Sequence, residues 1–89
     1  MTHKVLLHPK AARELEELDE PLKSRVRERL RELKSEPDGQ GKPLKGSKYL
    51  SLRIGDYRAI YEVSRGRNQV IVLFIGHRRD VYDDFSKIF

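Results

Sequence analysis

Two short strings in the second half of the chain hold the residue types that phosphate chemistry needs. The first runs Tyr49-Leu50-Ser51-Leu52-Arg53-Ile54-Gly55-Asp56-Tyr57-Arg58-Ala59-Ile60-Tyr61, the second Gly76-His77-Arg78-Arg79-Asp80-Val81-Tyr82. Arginine offers a planar fork of donors matched to phosphate oxygens. Tyrosine stacks on bases, and histidine moves protons near neutral pH. The chain has no cysteine, and no histidine or carboxylate stands at metal-ligand spacing from another histidine. Disulfides, thiolate metal sites and a cysteine nucleophile are thereby excluded, and the residue set points to RNA chemistry without a metal or other cofactor.

The charge distribution agrees. The 89 residues carry a formal net charge of +5. Between Lys42 and Tyr82 the cations are Lys42, Lys45, Lys48, Arg53, Arg58, Arg65, Arg67, Arg78 and Arg79, against only Asp56, Glu62 and Asp80. Before Lys42, acids and bases are interspersed. The excess positive charge therefore falls on the part that carries the aromatic and histidine residues, as a polyanion or acidic partner requires.

These residues need a scaffold, and a chain this short makes one domain, residues 1–89, with a small core. Lys4-Val5-Leu6-Leu7-His8, bounded by Pro9, reads as a first strand. Pro9 suits a helix start, and Ala12, Leu15 and Leu18 follow at helical spacing. Asp19-Glu20-Pro21 ends that helix and opens a second, in which Leu22, Val26, Leu30 and Leu33 make one apolar stripe among charged residues. Opposite charges at Arg25, Glu28 and Arg31 stand at pairing distance along it. Residues 36 to 47 are turn formers and read as a loop. Three strands follow: Leu50, Leu52 and Ile54 alternate with Ser51 and Arg53; Arg58, Ile60 and Glu62 alternate with Tyr57, Ala59, Tyr61 and Val63; and Val70 to Ile75 is a continuous apolar run, expected of a strand covered on both faces. Gly55-Asp56 and Arg65-Gly66-Arg67-Asn68 are the connections. The expected fold is α+β, in the order β-α-α-β-β-β, with an antiparallel sheet, the N-terminal helical hairpin packed on it and a short C-terminal tail or helix. With no signal-peptide core and no apolar stretch of membrane-spanning length, a cytoplasmic protein without membrane contact is expected.

Taken together, L-R-x-G-x-Y-R-x-x-Y from Leu52 to Tyr61 and the downstream G-H-R-x-x-V-Y from Gly76 to Tyr82 resemble the RelE/ParE toxin superfamily, and its RelE branch more than its ParE branch. The likeness extends to the early strand, the charged hairpin and Pro43-Leu44-Lys45-Gly46, nearly the whole chain. It implies the toxin of a type II toxin–antitoxin pair, an endoribonuclease that enters the ribosomal A site, cuts mRNA and so inhibits translation, and is neutralised by a cognate antitoxin. The implied reaction is attack of an RNA 2′-hydroxyl on the adjacent phosphate, leaving a cyclic phosphate and a 5′-hydroxyl. A proton must be taken, added negative charge stabilised and the leaving oxygen protonated.

The resemblance assigns Arg58 to the pentacovalent phosphate, Arg78 to the leaving group and Tyr82 to orienting or deprotonating the 2′-hydroxyl or stacking on a base. Arg53, Lys45, Lys48 and Arg79 fall to RNA binding. Tyr49 and Ser51 stand where the best-studied branch has two lysines, so the general base is open among His77, Tyr82 and a loop lysine. An imidazole, with a pKa of about 6.5, serves as acid or base with less tuning than a lysine at about 10.4. The plain alternatives are that Arg58 pairs with Glu62 or Asp56, that His77 is a surface histidine, and that Tyr57 and Tyr61 are core or rim. For the whole chain the alternatives are a ParE-like, non-catalytic inhibitor of DNA gyrase or a RelE homologue of low activity.

Overall fold

The structure is a computed structural model describing residues 3–44 and 46–80. The expected α+β order is present, with additions. Strand β1 is Lys4–Leu7; helices α1, Pro9–Glu16, and α2, Leu22–Glu32, form the hairpin. In the segment read as loop, a single-turn helix α3, Pro37–Gln40, leads into a two-residue edge strand β2, Lys42–Pro43. Strands β3, Leu50–Ile54, β4, Tyr57–Ser64, and β5, Gln69–His77, follow. The sheet runs β1-β5-β4-β3-β2. Pairing is antiparallel except between β1 and β5, which are parallel, so the sheet is mixed.

The apolar pattern explains the layering. In α1 the buried residues are Ala11 and Leu15, with Leu18 packed behind them; Ala12, expected in that stripe, is exposed. Val26 and Leu30 of α2, and Leu33 just past its end, are buried as expected, and Leu22 packs against them. They meet Leu52 and Ile54 of β3, Ala59 and Tyr61 of β4, and Val70, Val72 and Ile75 of β5. Ile60 and Phe74 form a second, smaller cluster with Leu44, Tyr49 and Leu73. Strand β5 has a neighbour on both edges and apolar contacts in both clusters, which accounts for its continuous apolar run.

A β-bulge interrupts the β4–β5 ladder. Ile60 pairs with Phe74 and Tyr61 with Val72, so Leu73 is the extra residue. The bulge lets Val72 and Ile75, three apart, both join the hairpin side.

The hairpin is tied down by local chemistry. The Glu20 carboxylate accepts from the Ser24 N–H at 2.8 Å and its hydroxyl at 3.0 Å, occupying donors in the first turn of α2 and lowering the Glu20 pKa. The ion pairs differ from those expected at Arg25, Glu28 and Arg31: Glu16 takes Lys23 and Arg27, linking α1 to α2, and Arg29 pairs with Glu32.

The buried Tyr61 reaches out of the sheet to α3. Its hydroxyl donates to the Pro37 carbonyl at 2.6 Å. Gly41 lets the phenol in: a Cβ there would lie 2.5 Å from the hydroxyl oxygen. Burial pushes the phenol pKa from 10.0 up to about 12. Because the fold favours the neutral phenol, its contribution to stability is intact below pH 10.0 and lost as pH rises through about 12. Tyr61→Phe is expected to cost about 1–2 kcal/mol at neutral pH, since the Pro37 carbonyl loses its donor. The difference between wild type and variant in urea unfolding should shrink across that alkaline window.

Candidate functional site

The two-residue turn at Gly55-Asp56 builds the site. Gly55 has φ +60°, and no non-glycine residue of the turn shares a positive φ, the pattern of a type II′ hairpin turn. That turn sets Ile54 opposite Tyr57 and Arg53 opposite Arg58. On the other side of β4, Arg58 pairs with Gly76 and Tyr57 with His77. Two neighbouring rungs therefore cross this end of the sheet. One reads Arg53, Arg58, Gly76; the other reads Ile54, Tyr57, His77.

Alternation puts these rungs on opposite faces. Ile54 is buried against the helical hairpin, so Tyr57 and His77 belong to the hairpin side. Arg53 and Arg58 share the other face with Ile60 and Ser51. The structure thus joins Arg53 to Arg58 and sets His77 on the next rung, across the sheet.

Like charges directly opposite on paired strands repel. Arg53 is exposed, its Nε donating to the Gly55 carbonyl at 3.4 Å. Arg58 is half-buried, and its Nε is buried with no hydrogen-bond partner among the described residues. The structural alternative for Arg58 fails among those residues, because Glu62 pairs with Lys48 at 3.2 Å and Asp56 makes no ion pair. An unpaired buried guanidinium N–H beside a second arginine has the electrostatics of an empty anion site.

Beyond β5 the chain makes a tight turn. The Asp80 N–H donates to the His77 carbonyl at 2.9 Å, and the Arg78 N–H to the Asp56 carbonyl at 2.8 Å. Arg78 and Arg79 sit at the turn's centre, both exposed. The Arg79 N–H donates to His77 Nδ1 at 3.2 Å, and the His77 ring meets the Tyr57 ring edge-on, centroids 5.5 Å apart at 75°. Lys48 is engaged by an acid, the Glu62 carboxylate, which raises its pKa, and its ammonium also lies 5.6 Å from the Tyr49 ring centroid. Tyr49 is half-buried and Ser51 is buried, so the two positions expected to carry lysines are packed positions on the face shared with Arg53. Tyr82 and Lys45 lie outside the described residues.

Sequence reasoning placed Tyr57 in the core or rim and missed its partnership with His77. The signal was the turn: counting outward from Gly55-Asp56 pairs Arg53 with Arg58, but pairing Tyr57 with His77 also requires the bulge at Leu73. The Arg79 main-chain contact had no signal in side-chain type. Among the described residues no three of His, Asp and Glu gather as a metal site would need, and no helix is long and apolar enough to cross a membrane.

A family model for the ParE toxin of type II toxin–antitoxin systems matches residues 5–82. The chain belongs to that family, within the RelE/ParE superfamily, and is a toxin of a type II toxin–antitoxin system. No curated protein sequence is significantly similar to it. Among solved structures, the toxin–antitoxin complex RelBE2 from Mycobacterium tuberculosis is 29% identical with TM-score 0.81, over 86% of this chain and 92% of that one. The archaeal RelE–RelB complex from Pyrococcus horikoshii is 27% identical with TM-score 0.77, over 88% and 97%. A mutant of the E. coli toxin RelE with two arginines replaced by alanine, in the free state, at 20% identity and TM-score 0.79 over 100% and 99%, shares the fold.

The paired arginines carry a stability cost. Arg58→Met, which keeps the apolar stem and removes the charge, is expected to stabilise the fold by about 0.2–1 kcal/mol at low salt. In guanidine-free urea titrations the gain should diminish at high salt, where the repulsion is screened.

Proposed function

We propose that this toxin is a ribosome-dependent mRNA endoribonuclease. The observation that carries the reading is the Arg53–Arg58 pair, with the buried Arg58 Nε unsatisfied and no acid paired to either residue among those described. A pentacovalent phosphate gains negative charge as it forms, and a preorganised guanidinium aimed at it stabilises that charge without reorganising. Arg53 then holds the RNA backbone, and Arg78 and Arg79, presented on the turn after β5, extend the positive surface.

The chemistry balances without a cofactor. The 2′-oxygen bonds to phosphorus as it loses its proton, the bond from phosphorus to the 5′-oxygen breaks, and that oxygen is protonated. Arg58 stabilises the intermediate, Arg78 the leaving group, and Tyr82 orients the 2′-hydroxyl. The net charge of +5 suits both ribosomal RNA and an acidic antitoxin segment. The RelBE complexes among the similar structures support a cognate antitoxin as the resting partner.

The second reading is inhibition of DNA gyrase, favoured by the ParE description of the matching family model. Purified toxin added to a translating extract separates the two. On the first reading mRNA is cut to products with 2′,3′-cyclic phosphate and 5′-hydroxyl ends, and Arg58→Ala or Arg78→Ala slows cutting by roughly ten- to a thousand-fold. Intact mRNA together with loss of gyrase supercoiling would instead establish the gyrase reading.

A further inference from the structure

The turn that sets Arg53 opposite Arg58 leaves one side of that pair open. Ile54 and Tyr57 flank the two-residue loop and close the hairpin, so Arg53 and Arg58 form the next rung, one without hydrogen bonds between its members. The main-chain N–H and C=O of Arg53 therefore point away from β4, toward the outer edge of β3. Strand β2 pairs no further along β3 than Ser51, and among the described residues no strand lies beside Arg53. The bare end of a strand that carries one of two repelling arginines is the part of the sheet most easily displaced.

Arg29 of α2 fills this gap. Its Nη2 donates to the Arg53 carbonyl at 3.5 Å, while its Nη1 donates to Gln40 Oε1 at 3.2 Å and to the Glu32 carboxylate. One guanidinium thus joins α2, the last residue of α3 and the open edge of β3. At the other end of α3 the Pro37 carbonyl accepts the Tyr61 hydroxyl at 2.6 Å, so α3 is itself fixed at both ends. Glu32 offsets the positive charge that Arg29 would otherwise add beside Arg53. The contact needs the planar fork: a lysine ammonium keeps the charge but is a single point, and cannot serve three acceptors spread over two nitrogens.

We propose that Arg29 is a positioning residue for the phosphate site, tying the free end of β3 to α2 and α3 so that Arg53 stays opposite Arg58. The role in cleavage rests on the endoribonuclease reading above. Arg29 acts through the backbone of Arg53, whose own side chain meets the RNA.

Two measurements test it. The first needs no RNA: amide hydrogen exchange of the free protein, followed by NMR. In Arg29→Lys the Ile54 and Tyr57 amides, which close the hairpin, should exchange roughly two- to ten-fold faster, the effect of losing one hydrogen bond, while the Val70 and Val72 amides keep their wild-type rates. Unchanged exchange at Ile54 and Tyr57, or an equal rise at Val70 and Val72, would overturn the proposal whatever the protein does to RNA.

The second is a double-mutant cycle in mRNA cleavage on translating ribosomes. Arg53 grips the RNA backbone in substrate and transition state alike, so Arg29→Lys should raise KM by roughly two- to ten-fold with kcat little changed. In an Arg53→Ala background no side chain is left to position, and Arg29→Lys should then change KM by less than about two-fold. The same loss in both backgrounds would mean that Arg29 touches RNA itself or serves only the fold, and would sink the positioning role. Wild-type protein that leaves mRNA intact would defeat the endoribonuclease reading and the role in cleavage with it, while the exchange rates still decide whether Arg29 holds β3 in place.

Discussion

Strand β5 lies inside the sheet because β1 joins it in parallel on one side and β4 antiparallel on the other, and the pairing with β4 governs the site. One-residue slips in a ladder reverse every side chain. The bulge at Leu73 makes such a change once, inside the strand. Before it, Val70 and Val72 face the hairpin; after it, Ile75 does, and the terminal rung places His77 on that same side. Leu73 and Phe74, side by side, both pack into the small cluster on the opposite face. The extra residue therefore sets Gly76, the residue without a side chain, next to Arg58. Bulges near functional ends of sheets re-aim side chains in this way.

The edge strands are shorter than the strands they border, so backbone groups near the site lack ladder partners. The helical hairpin supplies substitutes. β1 stops at Leu7, opposite Val72, and beyond it the Glu14 carboxylate accepts the Ile75 N–H at 3.0 Å while Lys10 neutralises Glu14 at 3.1 Å. β2 covers only Leu50 and Ser51 of β3, and Arg29 of α2 donates to the Arg53 carbonyl at 3.5 Å. An acid thus finishes an N–H on one flank and a base finishes a C=O on the other. Side chains that occupy strand edges also discourage pairing with a foreign strand. The charged faces of the hairpin, which look like plain solvated surface in the sequence, partly hold the strands that carry Arg53 and His77.

Legibility followed the range of the interaction. The hairpin stripe from Val26 to Leu33, the alternation in β3 and β4, and the membership of Tyr61 in the core were readable, because period and burial are local properties. So was the fold class. The parallel placement of β1 was not, since nothing within Lys4–Leu7 says which strand it joins. The loop that became α3 and β2 is explained by Tyr61, twenty-four residues away, whose hydroxyl needs the Pro37 carbonyl. At the site, residue types pointed to the arginines and to His77, whereas their division between two faces depended on a bulge that a continuous apolar run conceals. The Ala11 and Ala12 exchange in α1 is smaller: both fit a helical period with Leu15, and only packing on β5 chooses between them.

The charge pattern becomes intelligible once stability and function are separated. Elsewhere in the fold, acids are spent on specific partners: Glu16 on Lys23 and Arg27, Asp38 on Arg65, Glu62 on Lys48. Glu62 shares a face with Arg58 four residues away, yet its carboxylate is turned to Lys48, and the guanidinium is left without it. A sequence selected for stability alone would let Glu62 neutralise Arg58 or would replace one arginine of the Arg53–Arg58 pair. Retained repulsion beside a buried donor that no described residue satisfies is the local inconsistency expected where a ligand, and not the fold, supplies the missing charge. A phosphate would satisfy both arginines together, and the same opening would accept the carboxylates of an acidic antitoxin segment. On the function proposed above, one positive surface would serve both RNA and the antitoxin, and the two partners would compete for it.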